Sequence, residues 1–267
     1  MKQVVLLTGG SSGIGRCTAE YLAKKGCCVY ELSRRTPEEL SGICHIYADV
    51  TDEESVNRAV RDVLEREGRI DILICNAGFG ISGAIEFTDT AEAQRQLDVN
   101  FFGLVRTVRA VLPVMRKQGG GRIVAVSSVA AVVPIPFQAF YSASKAAIQS
   151  YIMALANEVR PFHITALAVM PGDIRTGFTD ARRKTLAGDA EYGGRISRSV
   201  GRMERDERNG MTPEQAGRFI ARAAAGRGKR PLRTIGFGYK LAVLLTKLLP
   251  AAWLNRLIGA LYAENRI

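Results

Sequence analysis

Three side chains in one stretch can move a proton beside a carbonyl group. Ser128, Tyr141 and Lys145 lie in the run S-V-A-A-V-V-P-I-P-F-Q-A-F-Y-S-A-S-K, with the tyrosine four residues before the lysine at the start of a helix-compatible segment. That spacing sets phenol and ammonium on one helical face. A phenol with its ordinary pKa of about 10 is a poor acid or base at neutral pH, but a neighbouring cation favours the phenolate and draws the pKa toward the working range. Ser128 closes G-R-I-V-A-V-S-S, an apolar run that reads as a buried strand. Its hydroxyl would then sit at a strand end, where open α/β sheets bind ligands, and could hold a carbonyl oxygen. Alone, the Tyr-x-x-x-Lys pair also fits an amphipathic helix with an exposed lysine.

Such a site needs a cofactor and elements to carry it. Residues 3–7 read as an apolar strand, followed by Thr8-Gly9-Gly10-Ser11-Ser12-Gly13-Ile14-Gly15 and a helical stretch through Lys25. Glycines let backbone approach a pyrophosphate, and the helix start supplies amide donors and a positive dipole end. Gly9, Ser11, Ser12, Gly13, Ile14 and Gly15 are therefore candidate dinucleotide contacts. The second strand, residues 27–32, ends at Ser33-Arg34-Arg35, where a Rossmann fold reads the adenosine ribose. An acid there would accept the ribose hydroxyls and repel a phosphate. Ser33 stands there instead, and Arg34 offers guanidinium donors to a 2′-phosphate, so NADP(H) is expected over NAD(H). Glu31 falls two residues earlier, inside the strand.

These motifs, together with Cys75-Asn76-Ala77-Gly78 and Met170-Pro171-Gly172 in that order along the chain, resemble the short-chain dehydrogenase/reductase family over about residues 3–235. The loop spacing T-G-x-x-x-G-x-G is similar to that family's own variant, and Cys75 replaces the first asparagine of its N-N-A-G element. The resemblance implies a Rossmann-like, doubly wound, seven-stranded and mostly parallel sheet flanked by helices, which the strand and helix alternation suggests independently. It implies Ser128, Tyr141, Lys145 and Asn100 as the catalytic set, with Asn100 disturbing its helix and holding a water that links the lysine to solvent. It further implies Asp49 and Val50 beside the adenine, Asn76, Ala77 and Gly78 along the cofactor, Pro171, Gly172 and Ile174 near the nicotinamide, and Thr176 at its amide or the pyrophosphate. Tyr141 and Lys145 would also touch the cofactor. The catalytic helix and the long one before it would form a subunit interface, giving a homodimer or homotetramer.

Between these motifs we expect a strand over 43–48, then a helix capped by Thr51 with Glu54 and reaching about Glu67. A strand follows at 71–74, then one long helix over 91–117. The catalytic helix should run from Tyr141 to about Arg160, with a strand at 164–169 after it. Residues 177–210 are charged and glycine-punctuated, which suits a mobile substrate lid. Thr212-Pro213-Glu214 starts a helix with a hydroxyl cap, and the final strand falls within 232–237. His45 and His163 read as structural. We assign residues 1–238 to one catalytic domain and 239–267 to an amphipathic helical extension.

With 267 residues and 47% hydrophobic content, the chain can bury one substantial core. Five cysteines without C-x-x-C spacing indicate neither a disulfide framework nor a zinc site, so no metal is expected and a reducing compartment fits. Met1-Lys2 leads straight into a strand, and we expect a cytoplasmic enzyme. The net charge of +11 is unevenly placed. Residues 1–180 carry 19 basic and 19 acidic side chains, whereas 181–240 carry 15 and 6. The surplus suits a solvated basic face or an anionic partner such as a lipid surface, and nothing resembling a nucleic-acid-binding motif accompanies it. The leucine-rich tail is divided by Pro250 and is too interrupted to span a bilayer. It either covers the cleft or a subunit boundary, or rests on a membrane surface as a peripheral contact.

The expected activity is hydride transfer with a carbonyl or secondary alcohol. Val132, Val133, Ile135, Pro136 and Phe137 favour a hydrophobic substrate, whether steroid-, retinoid- or acyl-chain-like. The alternative is a cofactor-binding regulator or membrane-associated scaffold that kept the fold and lost turnover.

Overall fold

The computed structural model describes residues 2–36 and 42–263. The strands are β1 (Val4–Thr8), β2 (Cys28–Ser33), β3 (Ile43–Tyr47), β4 (Ile72–Cys75), β5 (Ile81–Ser82), β6 (Gly121–Val126), β7 (Ile164–Met170), β8 (Arg183–Lys184) and β9 (Leu232–Thr234). Seven of them form one parallel sheet in the order β3-β2-β1-β4-β6-β7-β9. The order reverses between β1 and β4, which opens a crevice at the carboxyl ends of those strands. Central strands such as VVLLT and ILIC are apolar without alternation because helices cover both faces.

The helices are α1 (Gly13–Lys24), α2 (Glu53–Glu67), α3 (Thr90–Leu97), α4 (Gly103–Lys117), α5 (Ala139–Glu158), α6 (Phe178–Ala181), α7 (Arg195–Arg208), α8 (Pro213–Ala225), α9 (Phe237–Leu248) and α10 (Ala251–Tyr262). On one face Leu6, Leu73 and Ile123 pack with Val60 of α2, Val108 of α4 and Ile152 of α5. On the other, Leu7, Ile74 and Val124 pack with Leu22 of α1 and Ile220 of α8.

Several expected boundaries shift, each for a local reason. Asp52, not Thr51, caps α2, its side chain accepting from Glu54 N, while Thr51 bonds Asp49 instead. The expected helix over 91–117 is divided into α3 and α4 at the disturbance that the resemblance placed at Asn100, a wide turn at Asp98–Phe102 where Gly103 N–H reaches back five residues to Asp98 O. Gly103 is required beyond that turn, since a Cβ there would lie 2.8 Å from Val50 Cγ2. The region 177–210 is not an irregular loop. It holds α6, the β8 strand paired with β5, and α7, which buries Ile196, Val200 and Met203 against Ile135 and Phe137. Thr212 and Gln215 form a reciprocal capping box on α8, as expected.

The tail divides at Pro250 into α9 and α10. In α10 Ile258 is buried and Tyr262 packs against α7, where Tyr262 Oη donates to Asp206 and Arg195 Nε donates to Ala263 O. α9 buries no residue completely. Among the described residues no helix is long and apolar enough to cross a membrane.

Candidate active site

The start of α5 brings the expected proton-handling residues together. Lys145 lies one turn beyond Tyr141 and is only 5% exposed, its Nζ 5.6 Å from the centre of the tyrosine ring. The ammonium donates to Val126 O at 2.9 Å, and Ser127 Oγ donates to Lys145 O at 2.9 Å, which ties α5 to the end of β6. Ser128 falls two residues past that strand and caps a 3-10 turn at Val129–Ala131, its Oγ accepting from Ala130 N. Ser128 is also close enough to the Tyr141 hydroxyl to favour its ionised form.

The electrostatics differ from the expectation of a lowered phenol pKa. Burial pushes Tyr141 up to about 12, against the opposing effects of Ser128 and the nearby Arg182 charge. Burial also pulls Lys145 down to about 8. Both groups sit in one poorly solvated place, and the ammonium is engaged by a backbone carbonyl, so in the protein alone desolvation outweighs the lysine's pull.

Asn100 occupies the wide turn between α3 and α4 and is 1% exposed. Its Nδ2 donates to Phe79 O and Ser144 Oγ, and its Oδ1 accepts from Phe79 N. Three bonds to tertiary partners hold the turn open, since the side chain must point inward to make them. A Cβ on Gly78 would lie 3.1 Å from Asn100 Oδ1 and 3.7 Å from Lys145 Nζ, so the two residues flank that glycine.

On the opposite side of the crevice, β4 is stitched to the glycine loop. Asn76 Nδ2 donates to Gly9 O at 2.8 Å, and Thr8 Oγ1 accepts from Asn76 N and Ala77 N. Cys75 is buried, its thiol pushed up to about 12, and acts as an apolar spacer. Gly9 has φ +71°, and a Cβ on Gly15 would run into Gly9 O. Ser12 starts α1 without capping it by its side chain, and a Cβ on Gly13, whose φ is +53°, would lie 3.7 Å from Thr176. Open amides at a helix start, with glycine on the approach, fit a dinucleotide pyrophosphate.

At the end of β2, Arg34 is exposed and its Nη1 lies 3.6 Å from Asp49 Oδ2. Burial works against the charge on Asp49, but bonds from Thr51 and the Arg34 guanidinium outweigh it and hold the carboxyl below its ordinary value. Ser33 Oγ donates to Arg35 O and lies 3.0 Å from Glu31 Oε1. Glu31 is inside the strand, fully buried beneath Gly10 and paired with His45 Nδ1. His45 thus has a carboxylate partner across the β2–β3 pair, which separation in sequence concealed. His163, with φ +56°, closes a turn before β7 and is remote from this crevice.

Past β7, Pro171 O accepts from Val129 N, Ile174 bridges to Met211, and Gly172 lies under the ring of Tyr239, which a Cβ would strike. Val50 O accepts from Arg106. Sequence reasoning missed Asp173, Phe178, Arg182, Glu207 and Tyr239. The Phe178 ring lies 5.8 Å from that of Tyr141, Arg182 lies over Phe178, and Tyr239 Oη donates to Asp173 at 2.6 Å. For Asp173 and Phe178 the sequence offered proximity to the Pro171-Gly172 turn, and for Arg182, Glu207 and Tyr239 no signal.

The arrangement sets a glycine-lined helix start that fits a dinucleotide beside a half-buried hydroxyl and phenol and a buried ammonium and carboxamide. A family model described as short chain dehydrogenase matches residues 3–187. The chain is 45% identical over 234 residues to a 3-ketodihydrosphingosine reductase from Bacteroides thetaiotaomicron, covering 87% of each. A crystal structure of a short-chain dehydrogenase from Streptomyces avermitilis is 30% identical and superimposes with a TM-score of 0.78, covering 96% of this chain and 98% of that one. ElxO with NADP bound is 27% identical with a TM-score of 0.75, covering 90% and 100%. By its sheet, its motifs and these likenesses, the chain belongs to the short-chain dehydrogenase/reductase family, oxidoreductases that work between CH–OH and C=O groups with a nicotinamide cofactor.

Proposed function

We propose that this protein is an NADP(H)-dependent reductase of a long-chain lipid ketone, with 3-ketodihydrosphingosine, a 2-amino-1-hydroxy-3-ketone, as its substrate type. The observation that carries this reading is the complete Ser128, Tyr141, Lys145 and Asn100 set in a chain 45% identical to a reductase of that ketone.

A bound nicotinamide supplies the hydride that adds to the carbonyl carbon. Tyr141 gives its hydroxyl proton to the carbonyl oxygen as charge develops there, and Ser128 donates a hydrogen bond to that oxygen. A phenol with a pKa of about 12 holds its proton at neutral pH, which suits reduction. Lys145 sits beside the phenolate left behind and stabilises it, and Asn100 keeps the lysine's surroundings polar across Gly78. Gly9, Ser11, Ser12, Gly13, Ile14 and Gly15 hold the pyrophosphate side of the cofactor. Asn76, Ala77, Pro171, Ile174 and Thr176 line its path, and Ser33 and Arg34 favour a 2′-phosphate.

Ile135 and Phe137, packed on α7, provide an apolar roof for a hydrocarbon chain. The exposed stripe Phe237, Leu241, Leu244 and Leu248 on α9, interleaved with Lys240 and Lys247, suits peripheral contact with an anionic bilayer on its cytoplasmic face. Pairing of α4 and α5 between copies would give the homo-oligomer. The rival reading, a regulator or scaffold without turnover, leaves the intact set unexplained.

NADPH oxidation with a panel of 3-ketodihydrosphingosine, a 3-ketoacyl thioester, a steroid ketone and a retinal tests the reading. Turnover is expected with the first and weakly if at all with the others. No turnover of any ketone would favour the scaffold.

A further inference from the structure

Beside the catalytic tyrosine lies a group of charged side chains that the reaction itself does not use. Arg182 follows α6, and its guanidinium lies 5.5 Å from the Phe178 ring centre, the same ring that meets Tyr141 at 5.8 Å. The arginine side chain is wholly buried. Its Nη2 pairs with Glu207, which also accepts from Thr179 Oγ1 at 2.6 Å. Its Nε and Nη1 have no hydrogen-bond partner. A buried guanidinium with idle donors is costly unless something else brings an acceptor to it.

Asp173, in the turn after β7, is near enough to feel the Arg182 charge. Tyr239 Oη donates to its carboxylate at 2.6 Å and accepts from its N–H at 3.1 Å. Its backbone is pressed against Gly210, just past α7, where a Cβ would strike Asp173 O. The end of α7 supplies Asp206, bonded by Tyr262, and Glu207. Three carboxylates thus converge with Arg182 and Arg202 as the nearby cations, which leaves negative charge in excess. Burial raises the Asp173 pKa against the bond from Tyr239, and the fields of Asp206 and Glu207 add to the rise while Arg182 opposes it.

We propose that Asp173 and Arg182 form a head-group recess, in which Asp173 takes an ammonium on the carbon next to the ketone and Arg182 donates to a hydroxyl oxygen one carbon further on. The inference rests on the substrate reading above and adds the residues that select the substrate. An anionic head group would meet three carboxylates, and a plain ketone would leave both Asp173 and Arg182 unanswered. Only a substrate with a cation and an acceptor side by side satisfies the two. Polar groups left unpaired against a truncated substrate are what make such discrimination large.

The test compares kcat/KM for three ketones of equal chain length: the 2-amino-1-hydroxy-3-ketone, its analogue without the amine, and its analogue without the hydroxyl. The intact protein should prefer the first at least tenfold over each analogue. Asp173→Asn should shrink the amine preference to under threefold, keep the hydroxyl preference, and leave the NADPH dissociation constant unchanged. Arg182→Gln should do the reverse. Because Glu207 loses its partner in that variant and folding could fail, the comparison in the intact protein and Asp173→Asn are sufficient to decide. Equal kcat/KM for all three ketones would overturn the recess while leaving the reductase reading in place. No turnover of any of them would sink the reductase reading itself.

Discussion

The two sides of the crevice are built from different materials. The side proposed for the cofactor is backbone: a loop with Gly9 at φ +71° and Gly15 against Gly9 O, and strand ends joined by Thr8 and Asn76. The side proposed for the substrate is side chain: Arg182 on Glu207, Thr179 on Glu207, Tyr239 on Asp173, Tyr262 on Asp206. A backbone cradle accepts one ligand shape and gives few positions at which a substitution could retune it. A wall of paired side chains can be reset one residue at a time, so on the proposed reading selectivity belongs to the second side.

The catalytic pair should show the largest effect. Tyr141→Phe removes the proton and keeps the ring against Phe178, so turnover should fall by about 10² to 10⁴. NADPH titration should give an unchanged dissociation constant. Retained turnover would place the proton donor elsewhere and break the division between the two sides.

Next in size is a pH effect on stability. Lys145 has a folded pKa of about 8, below the ordinary lysine value near 10.5. At pH below 8 the lysine is protonated in both states, and its burial as a cation costs about 3 kcal/mol. Between pH 8 and 10.5 the unfolded chain holds more protons, so this contribution to stability rises with pH and the cost is relieved. Lys145→Met lacks the term, so urea unfolding at pH 7, 8, 9 and 10 should show the variant's relative stability declining across the window. Cys28 and Tyr30, whose pKa values are raised by burial, act in the opposite sense but equally in both proteins. A constant difference at all four pH values would mean that Lys145 is not desolvated.

This division also governs what could be read from residues alone. The glycine loop, the strand runs and the Ser128, Tyr141, Lys145 spacing are local patterns, and the structure brings each into the crevice. Thr51 failed as a cap because Asp52 next to it competes for the same amide and Asp49 claims the threonine. The break at Asn100 has no local sequence cause. It arises from Phe79 and Ser144, which are far away in the chain. Asp173, Arg182 and Glu207 were illegible for the same reason, since a charge in a charged segment says nothing of its burial. Residues 195–208 looked irregular because only Ile196, Val200 and Met203 among many arginines carry the helical apolar pattern.

Arg34 offers a smaller test on the cofactor side, because it is a side chain set into that backbone cradle. Arg34→Ala should weaken NADPH by about 1.5 to 3 kcal/mol, the range for a charge-assisted hydrogen bond, and leave NADH almost unchanged. Direct titration of both cofactors reads this without turnover. Equal losses for the two would assign the arginine to its contact with Asp49 and not to a phosphate.

The smallest effect concerns the outer edge of the substrate side. α10 buries Ile258 and turns Tyr262 onto α7, which leaves Trp253 71% exposed, and Phe237 at the start of α9 is 86% exposed. Apolar side chains at 237, 241, 244 and 248 form one stripe, with exposed Lys240 and Lys247 alongside it. Inner docking and lipid contact are therefore not exclusive, because they use different faces of the tail. Each basic side chain near an anionic surface contributes about 1 kcal/mol, so the association should be weak and should fall as salt rises. Sedimentation with anionic and neutral vesicles at two salt concentrations should show pelleting only with anionic lipid at low salt. The paired change Leu244→Glu and Leu248→Glu, on the outer face, should abolish it while leaving NADPH binding intact. Pelleting that ignores charge and salt, or none at all, would make the stripe a contact between protein copies, and a concentration-dependent mass in sedimentation velocity would then identify it as such.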